Sequence, residues 1–406
     1  IGGWSKYANV NFLGTCRALH SWKALDGTDF IGVGTHLKYY LLEGQQFYDI
    51  TPIRLTAGAG DATFLTGFDT INMAGNLSAT EVDIIVDSTS GFPASGRIKI
   101  DDEIITYAAK TGTTFIACNR GQNDTDAATH NDGANVSCCT LTVTEADHGA
   151  LDNDFVTFTD AASLGGLITA AVLNQEYQIT AIVSDNVYQI EARAIASIGS
   201  ITTTTGLDPT FVFSNTSDSG TGGTGTVAAY QINTGLDTTI SGNGWNAGTW
   251  GRGTWDSGTD LTASGQMLRI WSHDNFGEDL LINDRDGNIY YWNKSDGTGV
   301  RAKPFSELSG ANNPPTSAKI IMVTDRDRHV ITFGCDAENS TDQDPLLIRF
   351  GSQGSLTDWA AVITNTAGDL RLGSGSEIVA AIETKQQVLV FTDVYLQILT
   401  SFKKKK

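Results

Sequence analysis

The stretch WSHDNFGEDLLINDRDGNIYYW at residues 271–292 decides the fold. It reads as a strand, a polar turn, an apolar strand through Leu280, Leu281 and Ile282, an acidic turn, and a last strand rich in Tyr. Short apolar and aromatic runs broken by Gly- and Asp-containing turns are the signature of hairpin-linked strands. The phrase recurs with variations at residues 22–41 (WKALDGTDFIGVGTHLKYYL), at 323–350 (VTDRDRHVITFGCD, then PLLIRF) and at 381–400 (AIETKQQVLVFTDVYLQILT). Self-similar meanders imply an array in which each unit buries its apolar face on the next, so the expected body is an irregular β-propeller.

Composition agrees. The chain has 406 residues, with 44 Gly, only 7 Pro, and Thr, Asp, Asn and Ser crowded between Val/Ile/Phe/Tyr runs, and almost no segment carries helical periodicity. The expected fold is therefore all-β. A formal charge of −20 argues against sequence-reading of nucleic acid, whose affinity comes chiefly from Lys and Arg that displace counterions. It fits either plain solubility or a wall past which a polyanion slides without being gripped.

The spacing of the phrases divides the chain. Residues 1–76 read as the first part of the propeller-like body and 266–406 as its remainder. Between them, 77–136 and 137–200 read as two inserted small β-sandwich or barrel modules, each with alternating strands and its own turns. Residues 201–265 read as a Gly/Thr-rich extension containing GWNAGTWGRGTW. The chain opens with Ile1 in mid-phrase, which suggests the interior of a longer protein, and the lysines at 403–406 suggest a tag, a tail or an uncertain end. No signal peptide and no apolar run long enough to span a bilayer stands out, so no membrane span is expected.

Two sets of residues stand out as candidate sites. Trp245, Trp250 and Trp255 recur every five residues around Arg252, a pattern that suits packing within or between subunits and also suits a sugar-stacking platform. Asp26, Asp284, Asp286, Asp325 and Asp327 occupy the expected blade turns. Asp284-Arg285-Asp286-Gly287-Asn288 resembles the opening of a Ca²⁺ loop, yet it lacks the further oxygen ligands and terminal Glu at the required spacing, so a hairpin turn is the better reading.

Chemistry is otherwise sparse. The six His lie singly, the five Cys are odd in number with no Cys-x-x-Cys, and no nucleophile elbow, P-loop or dinucleotide fingerprint is present. Neighbouring acids such as Asp101-Asp102-Glu103 point to opposite faces of a strand and do not flank a substrate bond. No cofactor, no metal and no enzymatic activity are expected, and the cysteine usage fits assembly in a reducing cytoplasm.

Four phrases carry a family resemblance: GTCRALHSWKALDGTDFIGVGTHLKYYLLEGQQFYDITPIR (14–54), LRIWSHDNFGEDLLINDRDGNIYYW (268–292), DPLLIRFGSQGSLTDW (344–359) and GDLRLGSGSEIVAAIETKQQVLVFTD (368–393). Together they resemble the tail nozzle or tail hub proteins of short-tailed bacteriophages, also described as packaged-DNA stabilisation proteins. The phrases SGFPASGRIKIDDEIITY and HGALDNDFVTFTDA, with EYQITAIVSDNVYQIEA, resemble accessory β-domains of phage structural proteins. The chain departs from the family in lacking its N-terminal start and in stopping soon after Asp393.

What the resemblance implies is a virion protein, assembled in the bacterial host cytoplasm and acting in the phage tail. It would be a homo-oligomer, a six-fold ring below the portal and adaptor, contacting tail fibre or spike proteins and letting double-stranded DNA pass without sequence-specific contact. Two other readings stay open from the residues alone. One is a carbohydrate-binding β-protein of a phage tail or cell surface; the other is a propeller enzyme, such as a quinone-dependent dehydrogenase or a glycoside hydrolase. If the tryptophans are interface anchors, replacing Trp245, Trp250 and Trp255 together by Ala blocks assembly, and an assembly of normal size on a sizing column removes that role from them.

Overall fold

The computed structural model describes residues 3, 6–194, 211–235, 269–385 and 387–399. The fold is all-β, built of antiparallel sheets, and the α-helix among the described residues is the four-residue Ala170–Leu173. The chain divides into two compact units, Ile1–Ile53 with Thr234–Lys406, and Arg54–Asn233.

Among the described residues, the first unit is an array of four meanders. The first sheet runs Cys16–Lys23, Asp29–Thr35, Tyr39–Glu43 and Gln46–Asp49; the second Trp271–Phe276, Asp279–Asp284, Ile289–Trp292 and Lys303–Pro304. The third runs Ala318–Val323, Val330–Cys335, Leu347–Phe350 and Gly368–Arg371, and the fourth Ile378–Glu383, Val388–Thr392 and Leu396–Leu399. Strands follow one another in chain order within each sheet, and the leading strands of successive sheets lie side by side. This is the propeller-like stacking that the repeated phrase implies.

Period-two alternation explains how one strand serves two seams. In Trp271–Phe276, the odd-numbered residues face the first sheet: Trp271 Nε1 donates to the Thr35 carbonyl (2.7 Å), His273 meets Tyr39, and Asn275 meets His20. The even-numbered residues face the third, where Ser272 Oγ accepts from Ile321 N–H (2.8 Å) and Asp274 from Val323 N–H (2.8 Å). Val330–Cys335 repeats the device. Val330 packs toward the second sheet with Leu281, Phe305 and Trp359, while Ile331 and Phe333 pack toward the fourth with Val388 and Val390.

The repeats are not in register with the phrases that revealed them. Trp22 is next to last in its strand and Trp271 begins one, and Val323 closes the leading strand of the third sheet rather than opening it. The phrases recur because all the strands want β-branched and aromatic residues, a pattern that marks strands without marking their order in the sheet.

The second unit holds two sandwiches rather than closed barrels. One pairs a five-stranded sheet (Asn119–Gln122, Glu103–Tyr107, Gly96–Ile100, Asn135–Cys138, Phe68–Thr70) with a three-stranded one (Ala109–Lys110, Thr114–Ile116, Ile84–Ile85) over a core of Ile84, Ile98, Ile105, Phe115 and Val136. The other faces the sheet of Ala181–Ser184, Val187–Glu191, Thr140–Thr144 and Thr63–Leu65 with that of Glu176–Gln178, Phe155–Thr159, Val227–Gln231 and Ile53–Thr56. Phe64, Leu141, Phe158, Tyr188 and Tyr230 fill its centre.

The boundaries differ from those read in the sequence. The insertion begins at 54 rather than 77, because Ile53–Thr56, Thr63–Leu65 and Phe68–Thr70 pair with strands of the sandwiches. Residues 211–233, expected to belong to an extension, close the second sandwich: Val227–Gln231 pairs with Phe155–Thr159 and buries Ala228 and Tyr230. Strands of three to five residues with one or two large apolar side chains each carry too weak a periodicity to be assigned from sequence. Gly67 sits where the chain passes from one sandwich to the other, and a Cβ there would lie 2.5 Å from the Phe92 ring.

The seam between the first two sheets is equally tight. A Cβ on Gly34 would stand 2.4 Å from Cδ1 of Trp271. Gly34→Val should therefore lower the stability of the array by about 1–3 kcal/mol in denaturant unfolding, the usual cost of overpacking. Gly299→Ala, whose Cβ meets nothing within 4 Å, should shift it by less than about 0.5 kcal/mol.

Candidate functional site

The acidic turn residues tie neighbouring meanders together. Asp26 lies in the hairpin after Cys16–Lys23, where Gly27 takes a φ of 90° and Thr28 N–H donates to the Asp26 carboxylate (2.9 Å). Lys294, beyond the third strand of the second sheet, reaches back to Asp26 (2.7 Å) and to Glu278 (3.0 Å). Glu278 in turn accepts from Leu25 N–H (2.6 Å), and its backbone carbonyl accepts from Trp22 Nε1 (3.1 Å). The Lys294 ammonium, followed by the Thr28 amide, draws the Asp26 carboxyl down to about 2. This clamp joins residues some 250 positions apart in the chain.

Asp284 and Asp286 sit at the opposite end of the second sheet, between its second and third strands. Burial raises the Asp284 carboxyl, against the pull of Arg269. The carboxylate packs over Gly287, where a Cβ would lie 2.4 Å from Oδ1, so the turn requires glycine. Asp286 takes a φ of 61°, donates its N–H to the Ala318 carbonyl (3.0 Å) and accepts from Gln343 Nε2 (3.1 Å). The carbonyls of Asp284, Gly287, Asn288 and Ala318 all point at Asn283 Nδ2, at 3.0 to 3.2 Å. An amide, fully buried, thus fills the centre of a loop whose sequence resembles a Ca²⁺ loop, and the hairpin reading accounts for every one of those oxygens.

Asp325 and Asp327 do not correspond to Asp284 and Asp286. They lie between the first and second strands of the third sheet, the position of Asp26 in the first. Asp325 N–H donates to both oxygens of Glu383 on the fourth sheet (3.1 and 3.2 Å), and half-exposed Asp327 lies beside Arg326 at 3.9 Å. Four of the five Asp thus serve turns or seams by contacts to other residues. Trp245, Trp250 and Trp255 lie outside the described residues, as does Arg252.

A polar cluster at the first seam escaped the sequence reading. His20 Nε2 lies 2.6 Å from Asn275 Oδ1, His273 Nδ1 lies 3.0 Å from the Tyr39 hydroxyl, and the two imidazoles are 4.8 Å apart. Trp22 stacks on Phe30 at 5.3 Å and Tyr39 meets Trp271 edge-on at 5.0 Å, which closes the cluster in rings. The available signal was the spacing His20/Trp22 and Trp271/His273, two residues in each case and hence one face of each strand. Its pairing across 250 residues was not legible.

In the second unit, Glu103 pins the polar loop that follows Asn119–Gln122. Its carboxylate accepts from Arg120 Nε (2.8 Å) and Nη2 (2.7 Å), Gly121 N–H (2.9 Å) and Ala128 N–H (3.0 Å), with His130 Nε2 at 2.7 Å. Burial raises this carboxyl, but Arg120 and then the Ala128 amide outweigh it and bring it down to about 2. A carboxylate so fully engaged is a fastener. In the other sandwich, Tyr188 and Tyr230 share a hydroxyl contact of 2.9 Å, and Tyr230 donates to the buried Glu145. Among the described residues all five cysteines carry free thiols; burial pushes Cys118 up to about 12 and Cys138 and Cys335 to about 11. No group of three or more His, Cys, Asp or Glu among the described residues is placed to hold a metal, and no helix among them is long and apolar enough to cross a membrane.

No protein-family model matches this chain, and no curated protein does. Among solved structures, that of Phage phi92 endosialidase is similar at a TM-score of 0.20 and 10% identity, over 92% of this chain and 50% of that one. This chain thus spans about half the length of that structure, and a likeness at this level carries no inference about activity.

The seam cluster has a pH consequence. Burial, and after it the neighbouring His20, holds the His273 imidazole down to about 4. A folded value below the unfolded value of about 6.5 means that the unfolded chain binds more protons between those limits. The contribution to stability is complete above about pH 6.5 and is lost as the pH falls toward about 4. His273→Gln should flatten the loss of stability between about pH 7 and about pH 5, read as denaturant midpoints by tryptophan fluorescence.

Proposed function

We propose that this chain is a structural protein of a phage tail, a subunit of the nozzle or hub of a short-tailed phage. Copies of it form a six-fold ring below the portal and its adaptor, retain the packaged DNA, and conduct it at infection. Tail fibres or spikes attach outside. The observation that carries this reading is where the four resembling phrases fall: residues 14–54, 268–292, 344–359 and 368–393 take in strands of all four meanders of the first unit, though not Ala318–Val323 or Val330–Cys335, and His20, Trp22, Trp271 and His273 of the first seam lie inside them. The resemblance therefore falls on strands of the array on both sides of the insertion.

The charge supports the same role. Six copies would carry about −120 in formal charge, which suits a conduit that must not hold a polyanion. Polar groups of the array face one another across seams, Lys294 with Asp26 and Asp325 with Glu383, and they serve cohesion rather than chemistry. The role is mechanical in this reading, and the protein belongs to the virion.

Electron microscopy of the purified, assembled protein tests it. A six-fold ring with an open, acid-lined channel is the expected image. A compact monomer with a filled centre overturns the proposal.

A further inference from the structure

His130 is held between two carboxylates. Its Nδ1 lies 2.8 Å from Asp101 Oδ2 and its Nε2 lies 2.7 Å from Glu103 Oε2. Backbone bonds with Leu77 in both directions, at 2.8 and 2.9 Å, fix the residue, and its ring is buried. A neutral imidazole has one N–H donor and one acceptor nitrogen, an imidazolium has two donors, and carboxylate oxygens only accept. Glu103 has no proton to give: Oε1 already accepts from Arg120 Nε and Gly121 N–H, and Oε2 from Arg120 Nη2 and Ala128 N–H. Both contacts of the ring are therefore hydrogen bonds only when both of its nitrogens carry protons. Two cations, Arg120 and His130, then balance two anions, Asp101 and Glu103. A neutral ring sets one nitrogen lone pair against a carboxylate oxygen.

The two carboxylates differ in what they can do next. The Glu103 side chain is 1% exposed and that of Asp101 is 62% exposed. Water can replace a bond lost at Asp101 and cannot reach one lost at Glu103, so a neutral His130 keeps its proton on Nε2 and lets Asp101 go. Asp101 opens the turn between Gly96–Ile100 and Glu103–Tyr107, in the left-handed backbone region at a φ of 50°. His130 ends the polar loop that follows Asn119–Gln122, so their contact ties that turn to that loop.

We propose that Asp101, His130 and Glu103 form a proton-operated clasp within the insertion: the imidazolium holds turn and loop together, and loss of the Nδ1 proton to solvent frees the turn while the loop stays pinned to Glu103. The other charged groups around the ring are engaged elsewhere or face water. Arg120 is spent on Glu103 and on the carbonyls of Ser78, Glu81 and Ala128. The Glu81 carboxylate accepts the Ser78 N–H (2.9 Å) and that of Asp132 the Met73 N–H (2.9 Å). Asp102 is exposed with Lys99 at 3.9 Å, and Asp124 and Asp126 of the loop are exposed. None of them is placed to take over either ring nitrogen. The direction is opposite to that at the first seam, where burial, and after it His20, keeps His273 neutral. A proton completes a contact in the insertion and loosens one in the array.

The test is nuclear magnetic resonance of the full 406-residue chain labelled with nitrogen-15 in its histidine rings. Two-bond proton–nitrogen correlations report the proton on each ring nitrogen, followed from about pH 5.5 to about pH 9, a span that brackets histidine titration. His130 is the signal lost in His130→Gln or, if that variant does not fold, the one moved by Asp101→Asn. In the wild type both nitrogens should carry protons at the acid end, and the neutral ring at the alkaline end should be protonated on Nε2 alone. Asp101→Asn keeps a residue that tolerates the left-handed turn and offers a bare Nδ1 an N–H donor, so its His130 should lose the proton at a lower pH than in the wild type. A ring with a single proton throughout overturns the proposal. So does one that holds both protons to about pH 9, which is a permanent ion pair rather than a clasp that opens. A neutral ring protonated on Nδ1 also overturns it, since that form keeps Asp101 and releases Glu103, as does a titration that Asp101→Asn leaves unmoved.

Discussion

A β-sheet that is apolar on both faces must be covered on both, and this constraint organises the larger unit. Val330–Cys335 is buried along its whole length, with Val330 committed to one neighbouring sheet and Ile331 and Phe333 to the other. No such strand can exist in an isolated meander, because burying a single large apolar side chain is worth about 1.5–3 kcal/mol and each face would otherwise forfeit it. The meanders are therefore stable only as a stack.

Polar groups set the registry of the stack. Ser272 and Asp274 accept backbone N–H groups of the third sheet, Asp325 N–H is taken up by Glu383 of the fourth, and Lys294 gathers Asp26 and Glu278. Apolar seams are tolerant of sliding, and a directional hydrogen bond is not. Half-buried Asp274 has its carboxyl raised by desolvation, against the pull of the Val323 and Asn275 amides it serves. The insertion of 180 residues between the first and second sheets is tolerated for the same reason: the first seam is fixed by Trp271, Tyr39 and the two imidazoles, which do not depend on chain continuity.

Much of this was legible in the sequence where the pattern was local. Hairpins at Asp26-Gly27 and Asp286-Gly287, the near-absence of helix, and the presence of two inserted β-modules follow from turn residues and alternation. What was not legible is pairing at a distance. Nothing in residues 53–56, 63–65 or 227–231 announces that they complete one sandwich, since a short strand's partner is chosen by tertiary burial. His20 and His273 looked solitary because a seam joins them, and Asp325 looked equivalent to Asp284 because acidic turns at the two ends of a sheet share one chemistry.

The central claim is that residues 16–49 and 271–304, separated by the whole insertion, are successive members of one cooperative stack. Hydrogen exchange by mass spectrometry on the intact chain addresses it most directly, because amides that open together belong to one folding unit. Asp29–Thr35 and Asp279–Asp284 should exchange as one unit and lose protection together as the pH falls below about 6. Independent opening of the first meander, with Asp279–Asp284 still protected, would contradict it.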